Sequence, residues 1–205
     1  NLDNCDIGHN PDQSQVVRAS GSLQRGGDVV NARFGDGASL LAYLADQDTD
    51  DEFAVYAVPI ASGLSSRISG QMVAGGDVLE YSVSPDGGRV VYMADQDTDG
   101  VPELYSASAS GGSPAKLNAG LAPYETVADL SISPDGQKVV YRTSQSNLPR
   151  GELYGVPIAG GLPVALNDST SSEVEKFSIS PDSTHVVFRT YDDLYSTPIA
   201  STSPV

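Results

Sequence analysis

Asp95-Gln96-Asp97-Thr98-Asp99-Gly100-Val101-Pro102-Glu103 is the stretch whose residue types and spacing carry the most recognisable chemistry. Carboxylates occupy its first, third, fifth and ninth positions, with glycine sixth and the Val101 carbonyl seventh. Calcium takes about 6–8 oxygens at 2.3–2.6 Å, and a loop with this spacing wraps around such an ion. Gly100 permits the tight turn. Three carboxylates in so short a span repel one another, and a cation relieves that repulsion; the competing reading is a solvated acidic turn. The expected ligands are therefore Asp95, Asp97, Asp99, Val101 through its carbonyl, and Glu103. A sister loop repeats the first three as Asp46, Asp48 and Asp50, but has Asp51 in place of glycine and Ala54 at the ninth position, so weaker binding is expected there.

The 95–103 pattern resembles the calcium loops of EF-hands and of integrin propellers, without the glutamate that EF-hands place twelfth. Further along, the equivalent positions read Ser144, Ser146 and Leu148, and the last equivalent loop is shortened. Local stiffening fits that distribution better than a shared active centre.

The remaining candidates are expected to be structural. His185 stands where a neighbouring copy has Lys138, which reads as an exposed surface histidine. His9 has no visible partner, and Cys5, the single cysteine, fits a small apolar filler and cannot form an internal disulfide. Ser84, Ser133 and Ser180 each precede Pro-Asp, and their repetition argues for side chains that hydrogen-bond a turn rather than for nucleophiles. Tyr56, Tyr105, Tyr154 and Tyr195 recur at one place and read as sheet packing. No GxSxG elbow, phosphate loop or paired-carboxylate signature is present.

Composition narrows the partners. The 205 residues carry 27 acidic against 11 basic side chains, a formal net charge of -16, so nucleic acid and anionic lipid are repelled. No apolar run is long enough to cross a bilayer as a helix. Asp outnumbers Glu, as expected of turns and metal loops rather than helices. The first residue is Asn1, and a processed product or an excerpt is expected.

The elements that must position these residues come from a repeat of about 49 residues. YSVSPDGGRVVYMADQDTDGVPELYSASASGG from Tyr81 aligns without a gap on LSISPDGQKVVYRTSQSNLPRGELYGVPIAGG from Leu130, and FSISPDSTHVVFRTYDDLYSTPIA from Phe177 follows with a shortened loop. RISGQMVAGGDVLEY from Arg67 aligns on RASGSLQRGGDVVNA from Arg18. Repeats then run approximately over 21–69, 70–118, 119–167 and 168–205, within one domain spanning 1–205, and residues 1–20 are expected to supply outer strands of a terminal blade. Before each SPDG turn the pattern alternates, with Leu79, Tyr81 and Val83 on one face and Glu80 and Ser82 on the other. The turn leads to a β-branched run, an acidic loop, a third strand and a short fourth strand. Helical stripes are absent. A lone four-stranded sheet cannot bury both faces, so the copies must stack.

SPDGGRVVY, SPDGQKVVY and SPDSTHVVF, each followed by LY and a turn, resemble the repeats of TolB-like propellers, which are related in architecture to WD-repeat propellers. The first copy departs from the pattern, with RFGDGASLLAY where SPDG would stand. The resemblance implies an all-β β-propeller of about four four-stranded blades, either a closed four-bladed ring or, preferred, an arc of a larger propeller. The acidic, Ser- and Gly-rich blades, the calcium-type loop and the lack of a catalytic constellation lead to the expectation of a non-enzymatic, extracytoplasmic scaffold or binding module with a protein or peptide partner, with calcium as the expected cofactor. Open blade edges are expected to allow self-association. The alternatives are the propeller portion of a prolyl-oligopeptidase-like hydrolase and a TolB-like periplasmic interaction propeller.

Overall fold

The computed structural model describes residues 18–35, 39–147, 151–167 and 173–199. Fifteen strands and no helix occur among them. The first sheet is β1 (Val29–Phe34), β2 (Leu40–Ala45), β3 (Ala54–Pro59) and β4 (Ser66–Arg67). The second is β5 (Val78–Val83), β6 (Arg89–Ala94), β7 (Glu103–Ser108) and β8 (Ala115–Lys116). The third is β9 (Glu125–Ile132), β10 (Lys138–Gln145), β11 (Leu153–Pro157) and β12 (Val164–Ala165), and the fourth is β13 (Lys176–Ile179), β14 (His185–Arg189) and β15 (Leu194–Pro198). Every sheet is an antiparallel meander in chain order, and each draws its strands from one period of the sequence. Short loops between sequential strands permit this arrangement, which requires no crossover.

The SPDG hairpins are built by their own side chains. Ser84 Oγ accepts from the Arg89 amide at 2.9 Å and donates to Asp86 Oδ1 at 2.6 Å, while the Gly88 amide donates to the same carboxylate oxygen. Ser133 with Asp135 and Ser180 with Asp182 repeat this arrangement. Gly87 and Gly136 hold φ near +70°, a region costly for residues with a Cβ; the fourth copy has Ser183 there at φ 60.

One expectation needs correction. Leu79 does not share a face with Tyr81: a register shift between Val78 and Glu80 in β5 leaves Leu79 51% exposed and turns Val78 inward at 3%. A bulge adds one residue to one strand and so inverts the alternation beyond it. The same device in β9 selects Val127 and Leu130 as the buried pair.

The apolar faces pack sheet on sheet. Ala42 and Val55 of the first sheet meet Tyr81, Val90 and Tyr92 of the second. Val91 and Leu104 meet Leu130, Val139 and Tyr141, and Val140 and Leu153 meet Val186 and Phe188. Each valine, leucine or phenylalanine among them contributes about 1.5–3 kcal/mol of transfer free energy when fully buried. Backbone bonds stitch neighbouring sheets at equivalent points, Val78 N to Phe53 O and Val127 N to Pro102 O, both 2.9 Å. The Phe53 amide also donates to Asp77 Oδ1 at 2.7 Å.

Within sheets, ring pairs Tyr43–Tyr56, Tyr92–Tyr105, Tyr141–Tyr154 and Phe188–Tyr195 stack across the second and third strands at 5.2–5.4 Å. These rings are sheet packing. Among the described residues the fourth sheet has three strands and no strand pairs the outer edge of β15. No sheet is shared between the first and last repeats there, so no ring closure is formed by the described residues. The outer strands expected from residues 1–20 lie outside the described residues, except for 18–20, which carry no strand.

Candidate functional site

The acidic loops join the second and third strands of the first two sheets. Asp46 and Asp95 close β2 and β6, and their carboxylates are turned inward, 3% and 7% exposed. Asp95 Oδ1 accepts from the Asp77 amide at 2.6 Å and Oδ2 from the Gly100 amide at 2.8 Å. Asp46 repeats this with the amides of Asp28, at 2.5 Å, and Asp51, at 3.1 Å. The Asp28 amide bond, acting against burial, holds the Asp46 carboxyl below the ordinary range. Each loop thus fastens the Gly-Gly-Asp turn that enters its own sheet. Gly26 holds φ 97, a backbone region that favours glycine, and packs against the Asp50 side chain.

The expected calcium ligands are placed unequally. Carboxylate oxygens of Asp46, Asp50 and Asp51 lie within 4.8 Å of one another, and Asp51, φ 60, holds the left-handed turn that Gly100 holds in the sister loop. No such threefold group forms in the 95–103 loop among the described residues. There Asp97 and Glu103 share a lysine: Lys116 Nζ stands 3.1 Å from Asp97 Oδ2 and 2.5 Å from Glu103 Oε1. Glu103 also accepts from the Tyr105 hydroxyl at 3.1 Å. Burial draws the Lys116 amine down, but its bonds to Glu103 and Asp97 outweigh that and hold it above its usual value. In the first sheet Arg67 plays the same part, 2.9 Å from Glu52 and 3.9 Å from Asp48.

Arg67 and Lys116 each pair in register with the tyrosine of the third strand, Tyr56 and Tyr105. The sequence offers their signal, two cations one period apart, but only strand pairing shows that they face the acids. Ser69, Asn118 and Asn167 carry no comparable sequence signal, yet each accepts a buried third-strand amide, from Val55, Leu104 and Leu153 respectively.

A cleft of about 750 Å³ opens where the second and third sheets meet on this loop side. Asp97, Thr98 and Glu103 with Lys116 form one wall, and Leu121 to Thr126 with Ser144 and Ser146 form the other. Tyr124 stands at its rim, 71% exposed and at φ 66.

TolB from Acinetobacter baumannii superposes with a TM-score of 0.52 at 17% identity, over 84% of this chain and 41% of that one. A putative TolB from Agrobacterium tumefaciens gives 0.54 at 16%, over 84% and 58%. The fold is that of a TolB-like propeller. Prolyl oligopeptidase B from Galerina marginata shares it, with a TM-score of 0.58 at 11% identity over 86% of this chain and 30% of that one. The chain therefore spans less than two thirds of the length of these similar structures. No protein-family model matches it, and no curated protein sequence does.

Of the other candidates, His185 is exposed, its Nδ1 2.8 Å from Thr184 Oγ1. Ser84, Ser133 and Ser180 are occupied by their turns. His9, Cys5 and Leu148 lie outside the described residues.

Proposed function

We propose that the chain is a non-enzymatic, extracytoplasmic β-propeller module that binds a protein or peptide partner on its loop side. The cleft between the second and third blades carries this reading. Its volume is that of a specific site, it combines acids with an exposed aromatic, and it is walled by loops mounted on rigid sheets. Tyrosine at a rim offers apolar area at low entropic cost together with a polar tip. A photo-crosslinking phenylalanine analogue at position 124 is expected to trap one envelope protein, whereas the same analogue at Leu162, 85% exposed on another surface, traps none. Equal adducts at both positions, or none at 124, contradict the reading.

Calcium stiffening belongs to the same proposal, with Asp46, Asp50 and Asp51 as the carboxylates nearest a ligand set. Both oxygens of Asp46 already accept amides, and each retains a lone pair for a hard cation. Asp51→Gly is expected to stabilise the metal-free chain by about 0.5–1 kcal/mol, by relieving the left-handed strain, and to weaken calcium binding in a calorimetric titration. No heat of binding in the unsubstituted chain removes the metal.

The similarity to a prolyl oligopeptidase supports a second reading, an arc of a propeller attached to a hydrolase. A GxSxG segment encoded downstream in the parent gene would decide for it.

A further inference from the structure

The second and third blades carry the same acid and tyrosine at the start of the third strand, and the first two blades place a cation in register with that strand's tyrosine. Arg67 faces Glu52 in the first, and Lys116 faces Glu103 in the second, with its amine 5.9 Å from the Tyr105 ring centroid. The third blade keeps the acid and the tyrosine: the Tyr154 hydroxyl donates to Glu152 Oε2 as Tyr105 does to Glu103. The residue paired in register with that tyrosine is Ala165, however, not a lysine or arginine. No ion pair forms on Glu152 or Glu125 among the described residues. A pocket of about 160 Å³ opens instead, lined by Ala122, Glu125, Thr143, Gln145 and Glu152, and it shares Ala122 and Glu125 with the larger cleft.

We infer that the Glu125–Glu152 pocket of the third blade takes a lysine or arginine side chain supplied by the partner, in the place that Lys116 fills from within the second blade. This rests on the reading of the chain as a partner-binding module. Among the described residues the lining holds two carboxylates and no basic group, and Ala165 is exposed and too short to reach across. Two half-buried carboxylates beside the half-buried Tyr154 bind a cation more strongly than exposed acids do, because solvent screens them less. The second blade shows that ammonium, acid and tyrosine are mutually compatible in this frame.

The test is amide chemical-shift mapping on the full chain with three probes: acetyl-Ala-Lys-Ala-amide, its arginine counterpart and its norleucine counterpart. The basic peptides are expected to move the Glu125 and Glu152 signals and the norleucine peptide to leave them unmoved. Ala165→Lys, which retains the second blade's arrangement, and Glu152→Gln are each expected to weaken the basic peptides at least about tenfold. Unchanged spectra with both basic peptides overturn the inference, as does undiminished binding to Ala165→Lys. So does calcium chloride moving these signals where the peptides do not. Shifts confined to Asp97 and Tyr124 defeat the pocket assignment while leaving the binding module intact, whereas failure of the Tyr124 crosslink removes the module itself.

Discussion

Asp182 in the fourth hairpin accepts from the Ser180 hydroxyl at 2.5 Å and from the Thr184 hydroxyl and amide. Those donors, the serine foremost, bring its pKa down to about 2. Asp86 and Asp135 are lowered in the same way by Ser84 and Ser133. A carboxyl depressed in the folded state contributes stability above its unfolded pKa, near 4, and loses it as pH falls towards the folded value. Ser180→Ala is therefore expected to return Asp182 towards 3.8 in an NMR pH titration, and an unmoved value contradicts the assignment. At this scale the turn role of the serines was legible because one serine per repeat suits a structural need better than a single reaction. The acids of the loops were legible as a group, but their partners were not. Lys116 lies well along the chain from Asp97 and reaches it only through the pairing of β7 with β8.

At the scale of elements, the third strand of each of the first three sheets begins with a buried amide that a side chain just beyond the fourth strand satisfies. Asn118 Oδ1 meets the Leu104 amide at 2.8 Å in a buried setting. Asn118→Ala leaves that amide unpaired, and denaturant unfolding should show a loss of about 1–3 kcal/mol. A loss below about 0.5 kcal/mol would mean that water replaces the side chain. Strand order, the SPDG hairpins and the short fourth strands followed from alternation and turn residues. The bulges at Leu79 and Ala128 did not, because an inserted residue leaves composition unchanged and only inverts which side chains face inward.

For the whole molecule, the account rests on sheets that bury their faces against one another. Val91 and Leu104, and Val140 and Leu153, are fully buried by the next blade, whereas Val187 and Leu194 at the same register in the fourth are 38% and 71% exposed. The repetition announced this stacking, since no single meander can hide two apolar faces. Ring size was not legible, because one period specifies a blade and its neighbour but not how many follow. The most direct measurement is denaturant unfolding of a matched pair, Leu153→Asp and Leu194→Asp. Stacking predicts a loss of about 3 kcal/mol or more for the first and no more than about 0.5 kcal/mol for the second. Equal losses in the two variants would contradict it.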